Sequence, residues 1–572
     1  MASTAPLPPH AARTDATARI RRSRNHAAML AVLPLLLFLL LFFVGPIAGF
    51  LKESFYRDGT LTLAHYRHVL DTPIYRIVLG NTFTIAAAVT LSCVVMSYPL
   101  AYLMATVPPA AARLLFFAVL LPFWSSALVR TAAWIALLGK NGPLNTLLTS
   151  VGIVDAPIAF LYNFTGVMIG MAHVLMPFVV LPLYASFRAM DTTLVQAAQS
   201  LGARSASILR HVVLPLTSPG AIAGAIIVFM NAVGYYITPS LMGGPGQRMA
   251  AELISYNITE ELNWGLAAAL AGMLLITVLI SMWLFNRWFG LDQLISGTAG
   301  KGSSAGGTRR TPGGRLAVLA GCVCAVFLLL PILIVIPMSF GTSDYPVFPP
   351  PQYGLRWYAS FFQDSKWLDA LWSSLRAGLT VTVIATVLGT AAALGVHKMR
   401  SARKGWLDTL FVIPMSVPAI ITAVALYYLM APLGWVANSV AVVLGHTVLA
   451  SPYVYITVRA ALRSFDPSLE LAALGLGASW PKMFRLVMLP ALLPSLIGGA
   501  VFAFVTSFDD VVMALFLTTI HNRTLPKLMY EGLAQDFDPT VISASCVLIA
   551  ATALILTANI LSGRQSARQN GA

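Results

Sequence analysis

Charge is scarce in this sequence. Only 10% of its 572 residues are Asp, Glu, Lys or Arg, against roughly 25% in a soluble chain of ordinary composition. With 58% hydrophobic residues and a mean hydropathy of +0.79, a water-soluble globular fold is excluded. Cysteine is scarce too. Cys93, Cys322, Cys324 and Cys546 all fall inside apolar runs, which excludes a disulfide framework and leaves them to pack as small hydrophobes. Cys322-Val-Cys324 has no His or further Cys placed to complete a metal or redox site, and the nine histidines are scattered. His65 and His68 are three apart, the spacing of a solvated helix face. No metal site is expected, and no nucleophile–base constellation supports a membrane enzyme. Gly300-Lys301-Gly302-Ser303 lacks the spacing of a phosphate loop, and no complete nucleotide-binding motif occurs elsewhere. The chain therefore carries no ATPase and no cofactor of its own.

What the sequence does have is apolar length. Runs of roughly 20 residues, enough to cross a bilayer, recur near 29–51, 78–106, 113–138, 165–187, 217–238 and 265–288, then near 316–340, 374–397, 408–431, 437–460, 493–517 and 541–562. The first run is too long for a signal-peptide core and is expected to be a retained span. Basic residues set the orientation. With the N-terminus inside, 24 of the 36 Lys and Arg fall on the inner side, but only 6 of the 21 Asp and Glu. This positive-inside asymmetry accounts for the net charge of +15 without nucleic acid, and makes lipid the partner. Both termini are expected to be cytoplasmic. Residues 289–315, rich in Gly, Ser and Arg, read as a flexible cytoplasmic tether. The organisation expected is a basic tail (1–28), a first membrane domain (29–288), the linker (289–315), a second membrane domain (316–562) and a short tail (563–572).

The two halves repeat each other. At an offset of 275 residues, 188–229 matches 463–504 without a gap at 17 of 42 positions. The matches include Asp191/Asp466, Ala197/Ala472, Ala198/Ala473, Gly202/Gly477, Pro215/Pro490 and Gly224/Gly499. Both segments face the cytoplasm, so the halves run parallel about an axis along the membrane normal. Each segment reads as a helix capped by Asp191 or Asp466, a turn at Gly202 or Gly477 where a Cβ would not fit, and a short second helix that stops at Leu-Pro.

Gln196-Ala197-Ala198 with Gly202 and Leu214-Pro215, and Ala472-Ala473 with Gly477 and Leu489-Pro490, resemble the coupling loop of binding-protein-dependent ATP-binding-cassette (ABC) importer permeases. The resemblance implies an all-α polytopic fold of about 12 transmembrane helices in two parallel pseudo-twofold halves, the type I importer fold. It also implies a prokaryotic inner membrane, a separate cytoplasmic ABC ATPase (a dimer) that uses the ATP, and an extracytoplasmic substrate-binding protein. The family's loop carries a Glu where this chain has Gln196 and Leu471. Glu470 sits one residue early, about 100° around a helix, so it is no simple substitute.

Tyr235-Tyr236-Ile237-Thr238-Pro239, Gly243-Gly244-Pro245 and Ser507-Phe508-Asp509-Asp510 look like the spermidine/putrescine branch of that family. The fusion of two halves resembles ferric-iron and thiamine permeases, which keeps those cargoes as the alternative, ahead of an ion-driven secondary transporter. Asp509 and Asp510 also stand out on physical grounds. An ionised carboxylate inside a span costs about 2.5–3.5 kcal/mol on insertion scales, and at the 275 offset the counterparts are Gly234 and Tyr235. An acid pair with Tyr235, Tyr236 and Trp124 suits a linear cation through charge pairing and cation–π contact. Equally, one acid can cap an outer helix break or pair with Arg130. Leu63-Ala-His-Tyr66 and Leu355-Arg-Trp-Tyr358 each open an outer amphipathic helix. That helix is either a platform for the binding protein or an interfacial aromatic belt.

Overall fold

The computed structural model describes residues 28–289, 314–344, 348–399, 404–535 and 538–550. The expected tails and linker lie outside the described residues apart from their edges. Among the described residues, eight helices are long and apolar enough to cross a membrane, and three bent helix pairs raise the count to 11. Thr540–Ala550 starts where the twelfth span is expected, and the rest of that span lies outside the described residues. The fold is all-α. Among the described residues the only sheet is a hairpin, Tyr56–Arg57 against Thr60–Leu61, with Asp58 and Gly59 at positive φ in the turn, as a two-residue hairpin loop requires.

Boundaries differ from the hydropathy reading for physical reasons. The second span of each half is a 34-residue helix, Pro73–Thr106 and Ser365–Lys398. Each starts well before its apolar window because Pro73 at the first position and the Asp364 cap provide a start just after an amphipathic outer helix, Ala64–Asp71 or Arg356–Gln363. The fifth and eleventh spans do not stop at Leu-Pro. The short helix runs through into the span, as Ser205–Val233 and Trp480–Asp509. A π-helical turn, Leu209–Val213 or Phe484–Met488, precedes the proline. Pro215 and Pro490 cannot donate a backbone hydrogen bond, and the widened turn takes up the missing ladder bond without ending the helix. These spans also end early, at Val233 and Asp509, and short helices follow at Ile237–Met242 and Val512–Leu517.

The third span of each half is broken. Pro109–Pro122 and Ala127–Ser150 meet at 94°, and Lys404–Met415 and Ala419–Met430 at 91°. Pro122 and Pro414 stand 292 residues apart, as do Ala127 and Ala419 and also Tyr66 and Tyr358. Each tyrosine shares a hydrogen bond with the serine that ends its half's first span, Ser54 with Tyr66 at 2.9 Å and Ser339 with Tyr358 at 2.8 Å.

The halves embrace. The first span lies against the second span of the other half, so closely that a Cβ on Gly395 would stand 2.6 Å from the Ala28 carbonyl oxygen. The exchange is mutual. A Cβ on Gly321, in the seventh span, would stand 2.7 Å from the Pro99 carbonyl oxygen. Small residues at such crossings let backbones approach and gain dispersion contact where lipid supplies no hydrophobic drive. Tyr428 donates to Glu53 Oε1 at 2.6 Å, and Trp264 stacks on Tyr427, both across the seam. Cys93, Cys324 and Cys546 are buried in helix contacts, whereas Cys322 points outward from the seventh span.

Candidate functional site

At one end of the bundle the two repeated loops fold alike. Asp191 accepts the Thr193 N–H at 2.9 Å and Asp466 the Ser468 N–H at 2.8 Å, which caps the helices Thr192–Ser200 and Pro467–Gly475. These bonds hold both carboxyls below their ordinary range. Gly202 and Gly477 end the turn with φ of +76° and +84°. A Cβ at either would meet nothing within 4 Å. Glycine is required here by the left-handed backbone, and not by crowding as the sequence suggested. Just before each glycine, Leu201 and Leu476 are 87% and 90% exposed. Gln196, Ala197 and Ala472 are exposed, Ala198 and Ala473 half-buried, and Pro215 and Pro490 exposed on the helix behind.

The loops differ at the acid. Glu470 stands where the first loop has buried Val195, and its carboxylate turns inward to Lys398 Nζ at 3.5 Å. That ammonium also lies 4.5 Å from the centre of the Trp480 ring. The outward face of the second loop is then Leu469, Leu471 and Leu476, all exposed. The exposed face thus presents a neutral amide at Gln196 and a hydrocarbon at Leu471.

Midway along the bundle, a cavity of about 210 Å³ opens between the halves, lined among others by Gly234, Tyr235, Tyr236, Met415, Tyr453 and Thr506. Its position follows from the breaks. The end of each half's fifth span meets the bend of the other half's third span. On the cavity side the contact is Gly234 on Pro418, so tight that a Cβ would fall 2.3 Å from the proline ring. At the equivalent contact Asp509 lies against Ser126, Ala127 and Arg130. One glycine and one acid thus occupy matched positions, and only the glycine side opens into the cavity.

Asp509 and Asp510 are the last residue of the eleventh-span helix and its C-cap. They therefore flank a break rather than sit inside a continuous span. Asp510 accepts the Met513 N–H at 2.7 Å and lies 3.4 Å from His446 Nε2; His446 Nδ1 lies 2.8 Å from the Ser507 hydroxyl. Arg130 is buried, and its Nη1, like Asp509 Oδ1, has no hydrogen-bond partner. Tyr235 and Tyr236 line the cavity directly, and neither acid is among its lining residues. Trp124 ends its helix at the first bend, and its side chain lies outside the described residues. Sequence reasoning missed Met415, Tyr453 and the bend at Ser416 to Pro418. The signal was present in Pro122 and Pro414, which match only at the 292 offset.

Comparison with known proteins adds two findings. The family described as binding-protein-dependent transport system inner membrane component matches twice, at residues 80–289 and 385–569. Among curated relatives, the spermidine/putrescine transport system permease protein PotB of Haemophilus influenzae is 34% identical over 235 residues, 40% of this chain and 81% of its own. PotB of Escherichia coli is 33% identical over 241 residues, 42% of this chain and 84% of its own. The probable ABC transporter permease protein y4fN of Sinorhizobium fredii is 25% identical over 537 residues, 89% of this chain and 91% of its own.

Proposed function

The chain belongs to the binding-protein-dependent transport system inner membrane components, and we propose that it is the fused two-half permease of an importer for a polyamine-class cation. It is a multi-pass inner membrane protein with the permease domain present twice. In the proposed mechanism a separate cytoplasmic ATPase dimer docks on the loops at Gly202 and Gly477. Both termini lie on that side, and a soluble binding protein delivers cargo to the opposite end, where the helices Ala64–Asp71 and Arg356–Gln363 form its platform.

The cavity between the halves carries the substrate reading. Its wall presents Tyr235, Tyr236 and Tyr453, with Asp509 and Asp510 behind the break, and it contains no Lys or Arg among its lining residues. Aromatic faces attract a desolvated ammonium by about 0.5–2 kcal/mol each, and the wall sets no cationic side chain against it. A cation with hydrocarbon between its charges fits both features. Nucleotide closure at the ATPases would pull the loops together and re-aim the cavity from one side of the membrane to the other.

The reading is tested by reconstituting the chain with its ATPase and binding protein in liposomes and following labelled spermidine and putrescine. Uptake that needs ATP and survives collapse of the proton gradient is expected. ATP-driven uptake of ferric iron or thiamine, with none of polyamine, overturns the substrate class. Uptake that follows the ion gradient overturns the importer mechanism.

A further inference from the structure

A second cavity of about 210 Å³ lies beside the first, on the side away from the coupling loops. Tyr236, Ser240, Arg248, Glu252, Tyr256 and Glu260 line it. Tyr236 is common to both cavities. Its hydroxyl meets the Tyr530 hydroxyl at 3.3 Å, and Tyr530 donates to Ser240 at 3.1 Å. A pair of tyrosines, one from each half, therefore stands between the two spaces.

The internal repeat shows what the outer cavity is built to receive. The helices Ala250–Thr259 and Leu525–Ala534 are equivalent at the 275 offset, and both are anchored the same way. The Ala250 N–H donates to Thr82 and the Leu525 N–H to Ser374, each at 2.8 Å. On this register Lys527 occupies the position of Glu252. In the second half, the buried Lys527 ammonium donates to the Leu515 and Thr518 carbonyls at 3.2 and 2.7 Å, so an amine is already seated there. In the first half the same position carries a carboxylate, bonded to the Met249 N–H at 3.3 Å and facing a cavity. Arg248 corresponds to Arg523, whose partner Glu531 lies 3.5 Å away, and Glu531 is replaced by Tyr256. Two carboxylates and one guanidinium surround the first-half space, a formal balance of minus one. Burial pushes the Glu252 carboxyl up to about 7, against the pull of the Met249 N–H and Arg248. A cation arriving nearby would favour the ionised form.

We propose that this cavity is an outer binding station for an ammonium group, with Glu252 as the counter-ion and Tyr236 and Tyr256 as aromatic walls, from which cargo passes the Tyr236–Tyr530 pair to the inner cavity. The identity of the cargo rests on the polyamine reading, whereas the cation preference of the cavity does not.

Thr259, which also lines the space, provides the probe. Thr259→Cys is placed in a chain whose four native cysteines are replaced, assembled with its ATPase in nanodiscs. Labelling rates are then compared for a trimethylammonium methanethiosulfonate and a neutral one of similar size. The cationic reagent is expected to react faster. That preference should fall about tenfold in Glu252→Gln, the scale of one charge-assisted contact, and largely survive in Glu252→Asp. The rate with the neutral reagent shows that the cavity is intact in each variant. Equal cationic-to-neutral ratios in the Glu252 and Gln backgrounds overturn the station, as does a cysteine that neither reagent reaches. If the preference stands but spermidine and putrescine fail to slow labelling, the station holds and the polyamine reading falls.

Discussion

Asp509 and Asp510 are neighbours in sequence, yet they answer to different partners, so their neutral variants should part company. Asp510→Asn keeps an oxygen for the Met513 N–H and removes only charge. If that charge steadies a passing cation, about 1.5–3 kcal/mol is lost, and uptake by the reconstituted complex should drop at least tenfold at unchanged protein level. Asp509→Asn instead removes a carboxylate that lies by the buried Arg130, and a buried charge without a counter-charge is costly. The amount of folded protein in the membrane should fall, and adding Arg130→Leu should restore it. Normal yield of Asp509→Asn, or full uptake by Asp510→Asn, would separate these acids from the roles given them. The sequence showed two acids in an apolar run and offered both a cargo role and a cap or arginine partner. It could not choose between them, because Arg130 comes from an element more than 300 residues from Asp509 and His446 from a different helix than Asp510. Glu252 was invisible for a related reason. Its meaning depends on Lys527 standing at the same 275 offset, beyond the matched stretch 188–229, and on a cavity that only the fold reveals.

The coupling loops were the most legible elements, since a left-handed glycine, an Asx cap and a proline at fixed spacing are local chemistry written twice. Because Gly202 and Gly477 face open space, the effect of substitution is graded. Alanine forces a left-handed L-residue, roughly 1–2 kcal/mol, and should weaken ATP-driven uptake. Aspartate adds a charge to the docking face and should abolish it, with membrane level unchanged in both cases. Transport at normal rate by both aspartate variants would remove the docking role. Gln196→Ala should be mild, whereas Glu470→Gln should uncouple more strongly than its inward position suggests, because it frees Lys398 from the loop. The exchange Lys398→Glu with Glu470→Lys should recover part of the loss, read as uptake per ATP hydrolysed. The caps also have a pH signature. Their folded pKa lies below the unfolded value of 3.8. The stabilisation is therefore complete above that value and disappears only as pH falls through the lowered one, so loop function should be flat across neutral pH. The π-helical turns before Pro215 and Pro490 escaped the sequence reading, which treated proline as a stop. In a membrane helix whose flanks are well packed, widening one turn costs less than ending it.

At the scale of the whole molecule, span number and the doubled plan were legible because lipid enforces length and hydropathy. How the halves interlock was not, because Gly395 and Gly321 are unremarkable glycines until the opposite helix is beside them. Orientation remains a statement about Lys and Arg counts, and single-cysteine labelling decides it. Positions 155 and 260 should react with an impermeant reagent from outside intact cells, and position 304, beyond the described residues, should not. Strong outside labelling at 304 would reverse the assignment. Since the described residues of the two halves already meet along the seam, residues 1–300 and 301–572 produced as two chains should assemble into a functional permease. The first piece alone should be degraded. Accumulation of a stable, lone first half would contradict the interlocking.

That interlocking has a consequence in time. The surface that receives Ala28 and Val32 includes Gly395, which the ribosome makes last of the three by a wide margin. At about 5–20 residues per second, the first helix to enter the bilayer waits on the order of 20–70 s for its seat to be synthesised. During that interval its only company is lipid and the incomplete first half. The apolar body of the helix Ala28–Glu53 is well suited to such a wait, because it can rest in hydrocarbon, and only Glu53 at its end is left waiting for Tyr428.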